Sequence, residues 1–105
     1  MPANIKMRAK LNDGVTEIKA IMSHPMETGR RKDDHDRLIP PHFIQLVNVS
    51  LNGRVALEAQ WGTGVSKNPY LTFYLTNAQV GDIVKLTWYD NLGNSESQEI
   101  AVVQG

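Results

Sequence analysis

Through most of this chain apolar and polar residues alternate one for one. Only a strand with one buried face reads that way. Ile5, Met7, Ala9 and Leu11 alternate with Lys6, Arg8 and Lys10, and Ile18, Ala20 and Met22 resume the pattern after Asp13-Gly14. That pair readily supplies the positive φ of a tight turn. A second hairpin is sharper. Val47, Val49 and Leu51 lead into Asn52-Gly53, followed by Val55, Leu57, Ala59 and Trp61, with Arg54, Glu58 and Gln60 turned to water. Leu71, Phe73 and Leu75 form a further run beside Thr72, Tyr74 and Thr76, and Val84, Leu86 and Trp88 another beside Lys85, Thr87 and Tyr89. Ile100 and Val102 end the pattern after the turn Asn91-Leu92-Gly93-Asn94. Seven short strands and no sustained helical period predict an all-β, antiparallel sandwich of immunoglobulin-like or fibronectin III-like size. A small barrel is the alternative, because strand patterns do not fix closure. At 105 residues the chain makes one domain, residues 1–105, with no internal repeat or linker.

Charge excludes several functions. Eleven basic side chains balance eleven acidic ones, so no net field draws in nucleic acid or an anionic membrane. The apolar runs are too short to span a bilayer. The start, Met1-Pro2-Ala3-Asn4-Ile5-Lys6, lacks the apolar stretch of a secretory leader, which taken alone points to the cytoplasm. There is no cysteine, which removes disulfides, thiolate metal sites and a cysteine nucleophile.

Two stretches break the alternation. Residues 23–41 carry charges of both signs and three of the five prolines. A connection this long inside a compact domain is functional or partly disordered. Residues 62–69, Gly-Thr-Gly-Val-Ser-Lys-Asn-Pro, form the second. In a sandwich such loops gather at the ends and can share one surface.

The candidate chemistry in these loops is thin. His24, His35 and His42 invite a metal reading, since imidazole is a good transition-metal ligand. Their intervals of eleven and seven residues match no compact ligand motif, and the loop is too polar to imply a dry cavity. The plainer reading has His24 orienting a turn ahead of Pro25 and His35 solvated, with no metal and no cofactor. Ser23-His24 is a sequence neighbourhood rather than a catalytic pair, and no Gly-x-Ser-x-Gly elbow exists. Gly62-x-Gly64 lacks the third glycine and the helix of a phosphate loop. Asp33, Asp34 and Asp36 neutralise Arg30-Arg31-Lys32, which reads as a solvated loop tip. Tyr74 and Tyr89 fall on the outward parity of their strands, where exposed aromatics suit a protein partner.

From residues alone the chain is an all-β binding or interaction domain. Its sequence also resembles one family along nearly its whole length. Ile18-Lys19-Ala20-Ile21-Met22 runs into Ser23-His24-Pro25-Met26-Glu27-Thr28-Gly29 and then Leu38-Ile39-Pro40, which is very similar to the characteristic segment of SoxZ proteins. The likeness continues through Asn52-Gly53, Trp61-Gly62, Asn68-Pro69-Tyr70-Leu71-Thr72-Phe73-Tyr74, Gly81, Thr87-Trp88 and the acidic turn starting at Asp90. Pro40-Pro41-His42-Phe43 departs from the pattern, where more polar or basic residues are expected.

The resemblance implies an immunoglobulin-like, non-catalytic subunit of the sulfur carrier in thiosulfate oxidation. It implies pairing with a SoxY-type chain, whose cysteine near a flexible Gly-rich C-terminal arm holds the sulfur intermediates. Other sulfur-oxidation enzymes would act on the complex, and export with the signal-bearing partner would give a periplasmic address. Isolated, the chain is expected to expose a sticky sheet face and to form homodimers or aggregate at high concentration. Contacts with the partner or enzymes are expected around Ser23, His24, Pro25 and Met26, and at Asn68, Pro69 and Tyr70, where prolines and glycines fix unusual backbone paths. The competing readings are a stand-alone immunoglobulin-like protein-binding module and a histidine-ligated iron superoxide reductase. The latter requires a cysteine thiolate that the chain lacks.

Overall fold

A computed structural model describes residues 4–105; Met1, Pro2 and Ala3, part of the start read above for a leader, lie outside the described residues. The described residues form eight strands and no helix: β1 (Ile5–Asn12), β2 (Val15–Met22), β3 (Ile44–Leu51), β4 (Arg54–Gln60), β5 (Tyr70–Leu75), β6 (Ile83–Asp90), β7 (Ser95–Ala101) and β8 (Val103–Gln104). They make two four-stranded sheets, ordered β5-β2-β1-β8 and β4-β3-β6-β7. This is the immunoglobulin-like sandwich that the alternation predicts. Both two-residue hairpins form as expected: Asp13 and Gly14 have φ of 51° and 80°, and Asn52 and Gly53 of 51° and 86°. Positive φ at both central residues is the type I′ signature, whose twist matches the strands it joins.

The inward parity of each strand builds one core. Ile5 and Ala9 of β1, Ile18, Ala20 and Met22 of β2, Val47 and Val49 of β3, and Val84, Leu86 and Trp88 of β6 are all buried. Each of the larger aliphatic side chains (Ile, Val, Leu, Met) contributes about 1.5–3 kcal/mol by leaving water.

Two details of the strand pattern need correction. Val55 is 67% exposed rather than inward. A register shift at Val49/Ser50 pairs Leu57 with inward Val49 but Val55 with outward Ser50, so the β-bulge reverses the parity. The C-terminus is likewise not one strand. β7 ends at Ala101, and Val102 is buried at the crossing, with its N–H donated to the Asp82 carbonyl at 2.8 Å. β8 then lies parallel to β1, Val103 opposite Lys10 and Gln104 opposite Leu11. The described residues thus form seven principal strands and a two-residue eighth, and the C-terminal segment ties one sheet to the other.

Candidate functional site

The inward parity of three strands does not stop with the last apolar residue. His24 follows Ile18, Ala20 and Met22; Asp90 follows Val84, Leu86 and Trp88; His42 sits two residues ahead of buried Ile44. All three side chains therefore turn toward the same end of the sandwich, where they meet. His24 Nε2 lies 3.1 Å from Asp90 Oδ2, and His42 Nε2 lies 2.8 Å from the same oxygen. Side-chain exposure is 2% for His24, 1% for Asp90 and 29% for His42. The imidazole rings meet edge to face, with centroids 4.6 Å apart, and His24 stands edge-on to Trp88 at 5.0 Å.

Asp90 is the hub. Its Oδ1 accepts the backbone N–H groups of Leu92 (3.0 Å) and Asn94 (2.8 Å), and its Oδ2 also accepts Asn94 Nδ2 (3.2 Å). Burial pushes this carboxyl's pKa up. Hydrogen bonds from His24, the Asn94 backbone, His42 and the Asn94 side chain outweigh burial and hold it well below the usual carboxylate range. A buried carboxylate with donors on both oxygens is a structural anchor for the β6–β7 turn and the long loop together.

The same three residues could be read as a metal site, because their ligand atoms lie within 4.8 Å of one another. The donor chemistry argues otherwise. Met26 N–H donates to His24 Nδ1 at 3.1 Å, so that nitrogen is a bare acceptor and Nε2 carries the ring proton. A metal on Nε2 would need the opposite tautomer and would set Nδ1–H against Met26 N–H. The His24 ring is thus committed on one side to the loop backbone and on the other to Asp90. The result is a hydrogen-bonded clip.

The segment 23–29 is folded around this clip. Ser23 N–H donates to the Asn4 carbonyl at 2.7 Å, and His24 N–H donates to Asn68 Oδ1 at 3.1 Å. Asn68 N–H returns a bond to the His24 carbonyl at 3.0 Å, while Met22 N–H reaches the Pro69 carbonyl at 3.0 Å. Met26 takes φ of 49°, uncommon for a residue with a side chain, and is buried with its sulfur 3.3 Å from Ile44 N–H. Glu27 and His42 exchange backbone bonds of 2.7 and 2.9 Å, and Glu27 also holds Arg31 through Oε2 at 2.6 Å. The guanidinium, hydrogen-bonded to it, keeps the partly buried Glu27 carboxyl below its ordinary range. Gly29 has φ of 86°, and a Cβ there would sit 2.9 Å from Pro41 Cγ. Only glycine fits both constraints.

The residues expected to make contacts are therefore brought together, in two kinds of place. His24, Met26 and Pro69 are buried and set the shape of the surface; Ser23, Pro25, Asn68 and Tyr70 lie on it. A cleft of about 300 Å³ runs beside the cluster, lined by Ser23, His42, Trp88, Asn94 and Glu96 among others. Among the described residues Trp88 Nε1 is a buried donor without a partner. His35 stays apart and exposed on the loop, as expected. In the loop tip Lys32 pairs with Asp36 at 3.3 Å, while Arg31 turns to Glu27 rather than to the aspartates.

Sequence reasoning missed the cluster because its members lie 48 and 66 residues from Asp90 in the chain. The available signal was parity, with three polar residues on the inward phase one step beyond apolar runs. Two comparisons bear on what this arrangement belongs to. No curated protein matches the chain. A family model described as "Sulphur oxidation protein SoxZ" matches residues 5–101, which takes in every strand from β1 to β7, the 23–29 segment and the Asp90 turn. The chain belongs to the SoxZ family of sulfur-oxidation proteins.

Proposed function

We propose that this protein is the non-catalytic subunit of a sulfur-carrier complex. In that complex it folds with, stabilises and presents a cysteine-bearing partner of the SoxY type. The observation that carries the proposal is chemical. Holding a sulfur intermediate covalently takes a thiolate nucleophile, and these 105 residues contain no cysteine. Among the described residues, the cluster of His24, His42 and Asp90 is taken up in holding loops together. That leaves presentation rather than chemistry as the role of the chain.

The architecture supports such a role. Each sheet has two edge strands, β5 and the short β8 on one, β4 and β7 on the other. Edge strands offer a row of backbone donors and acceptors that a permanent partner can pair with or cover. The loop end, braced by the Asp90 clip, gives a fixed rim on which Ser23, Pro25, Asn68 and Tyr70 are displayed. With a partner that carries the export signal, the complex would work in the periplasm, where the oxidising enzymes act on the sulfur held by the partner's cysteine. Co-expression with the neighbouring reading frame tests the proposal. A one-to-one complex should elute, and the chain alone should neither take up sulfur nor support turnover. Turnover by the isolated chain would end this reading.

A further inference from the structure

The two outer faces of the sandwich differ in charge. On the β4-β3-β6-β7 sheet the outward positions combine amides and hydroxyls, such as Asn48, Ser50, Thr87 and Ser97, with exposed Val55, Ile83 and Tyr89 and the carboxylate of Glu58, and Lys85 faces Glu99 directly across the strands. On the β5-β2-β1-β8 sheet β1 projects Lys6, Arg8 and Lys10, and β2 projects Glu17, Lys19 and Ile21. Four cations there stand against a single outward strand carboxylate, on a chain that has eleven charges of each sign. The register places Arg8 opposite Lys19. Like charges in that position weaken a sheet. Glu17 does not relieve the pair fully, being 3.7 Å from Lys19 and 3.4 Å from the Tyr74 hydroxyl. Apolar surface is interleaved with this charge: Ile21 is 41% exposed, Tyr70 59% and Tyr74 61%. A shallow cleft of about 370 Å³ crosses the strands between Lys6, Arg8, Lys19, Ile21 and Tyr70.

We propose that this face docks the acidic face of a second protein, one that visits the complex transiently and seats an apolar side chain in the cleft beside Ile21 and Tyr70. The cores of permanent interfaces are depleted of charge, whereas this patch is rich in it. Glu17 pairs with Lys19 at 3.7 Å and stands opposite Lys10, which leaves an excess of cations beside an aromatic groove, and that suits an encounter steered by charge and released quickly. A polyphosphate is the poorer fit, since the chain as a whole is neutral and Glu17 sits within the patch. That the visitor meets a carrier complex rests on the function proposed above; the charge and register of the face do not.

The probe is a random copolymer of glutamate and tyrosine, titrated into the ¹⁵N-labelled full chain. Shifts should be confined to β1, β2 and β5, and binding should weaken at least about tenfold between about 20 and 300 mM salt. Arg8→Glu should abolish binding while raising Tm by about 1–4 °C, because it turns a like-charged cross-strand pair into an opposite one. Arg8→Gln should weaken binding without that rise, and Lys85→Glu on the other sheet should leave binding unchanged. The proposal is overturned by binding that survives in Arg8→Glu, by shifts on the β4-β3-β6-β7 sheet, or by a fall in Tm for Arg8→Glu. Tighter binding of duplex DNA or phosphatidylglycerol vesicles at the same residues would also overturn it. So would loss of copolymer binding once the cysteine-bearing partner is attached, which would assign the face to the permanent interface. The titration of the isolated chain needs no partner, so its failure is separable from failure of the carrier reading.

Discussion

Removing the Asp90 carboxylate should cost more than truncating any surface residue of this protein. In Asp90→Ala five donors lose their acceptor: the N–H groups of Leu92 and Asn94, Asn94 Nδ2, and Nε2 of His24 and His42. Asn94 is exposed and the His42 side chain is 29% exposed, so water can replace part of the loss. His24 is 2% exposed and cannot be rehydrated where it stands. Breaking a buried charged network from one side costs about 3–5 kcal/mol, and partial rehydration puts this case near about 3. For a domain of this size that is a fall in Tm of roughly 12–24 °C. Asp90→Asn keeps one acceptor but presents an amide NH₂ to other donors, and about half the loss is expected.

Urea unfolding followed by tryptophan fluorescence gives both values, Trp88 being in contact with the cluster. Acid adds a second reading. Asp90 has a folded-state pKa below its unfolded value near 3.9, so its contribution is complete above about pH 5 and is lost as pH falls toward the folded value. The wild type should therefore lose stability faster than Asp90→Asn below about pH 4. A cost under about 1 kcal/mol for Asp90→Ala, or parallel acid limbs, would refute the clip.

Three further outcomes follow from the same geometry. Gly29→Ala should destabilise by about 1–3 kcal/mol in urea, because its φ of 86° and the Pro41 ring both oppose a Cβ, whereas Gly62→Ala, with open space around it, should be close to neutral. Long-range ¹H–¹⁵N correlation should find His24 with its proton on Nε2 and Nδ1 as acceptor. Elemental analysis should then find well under one transition metal per chain, since that tautomer opposes ligation. Met26→Ala should cost about 2–4 kcal/mol through the cavity and the lost acceptor for Ile44 N–H, as measured by thermal unfolding.

The fold was legible because it is local. Asp13-Gly14 and Asn52-Gly53 define their own turns, and the parity of Val84-Leu86-Trp88 needs no knowledge of its neighbours. What escaped was non-local. The bulge that turns Val55 outward depends on the pairing partner, and the switch at Val102 depends on the distance between sheets. The segment from Ser23 to Gly29 stood out as unusual before its reason was visible. The reason is packing: a left-handed Met26, a glycine against Pro41, and a histidine held between a backbone N–H and Asp90. The sequence intervals of His24 and His42 and the polarity of their loop argue against a ligand set, but neither says anything about the ends of strands meeting in space.

The proposed carrier role is checked by intact-mass spectrometry of this chain co-expressed with a SoxY-type chain and then charged with thiosulfate by a reconstituted sulfur-oxidation system. A one-to-one complex is expected in which every sulfur adduct is found on the partner and this chain keeps its unmodified mass, while the chain expressed alone forms homodimers or aggregates and takes up no sulfur. An adduct on this chain, or a SoxY-type chain that fails to bind it, would contradict the account.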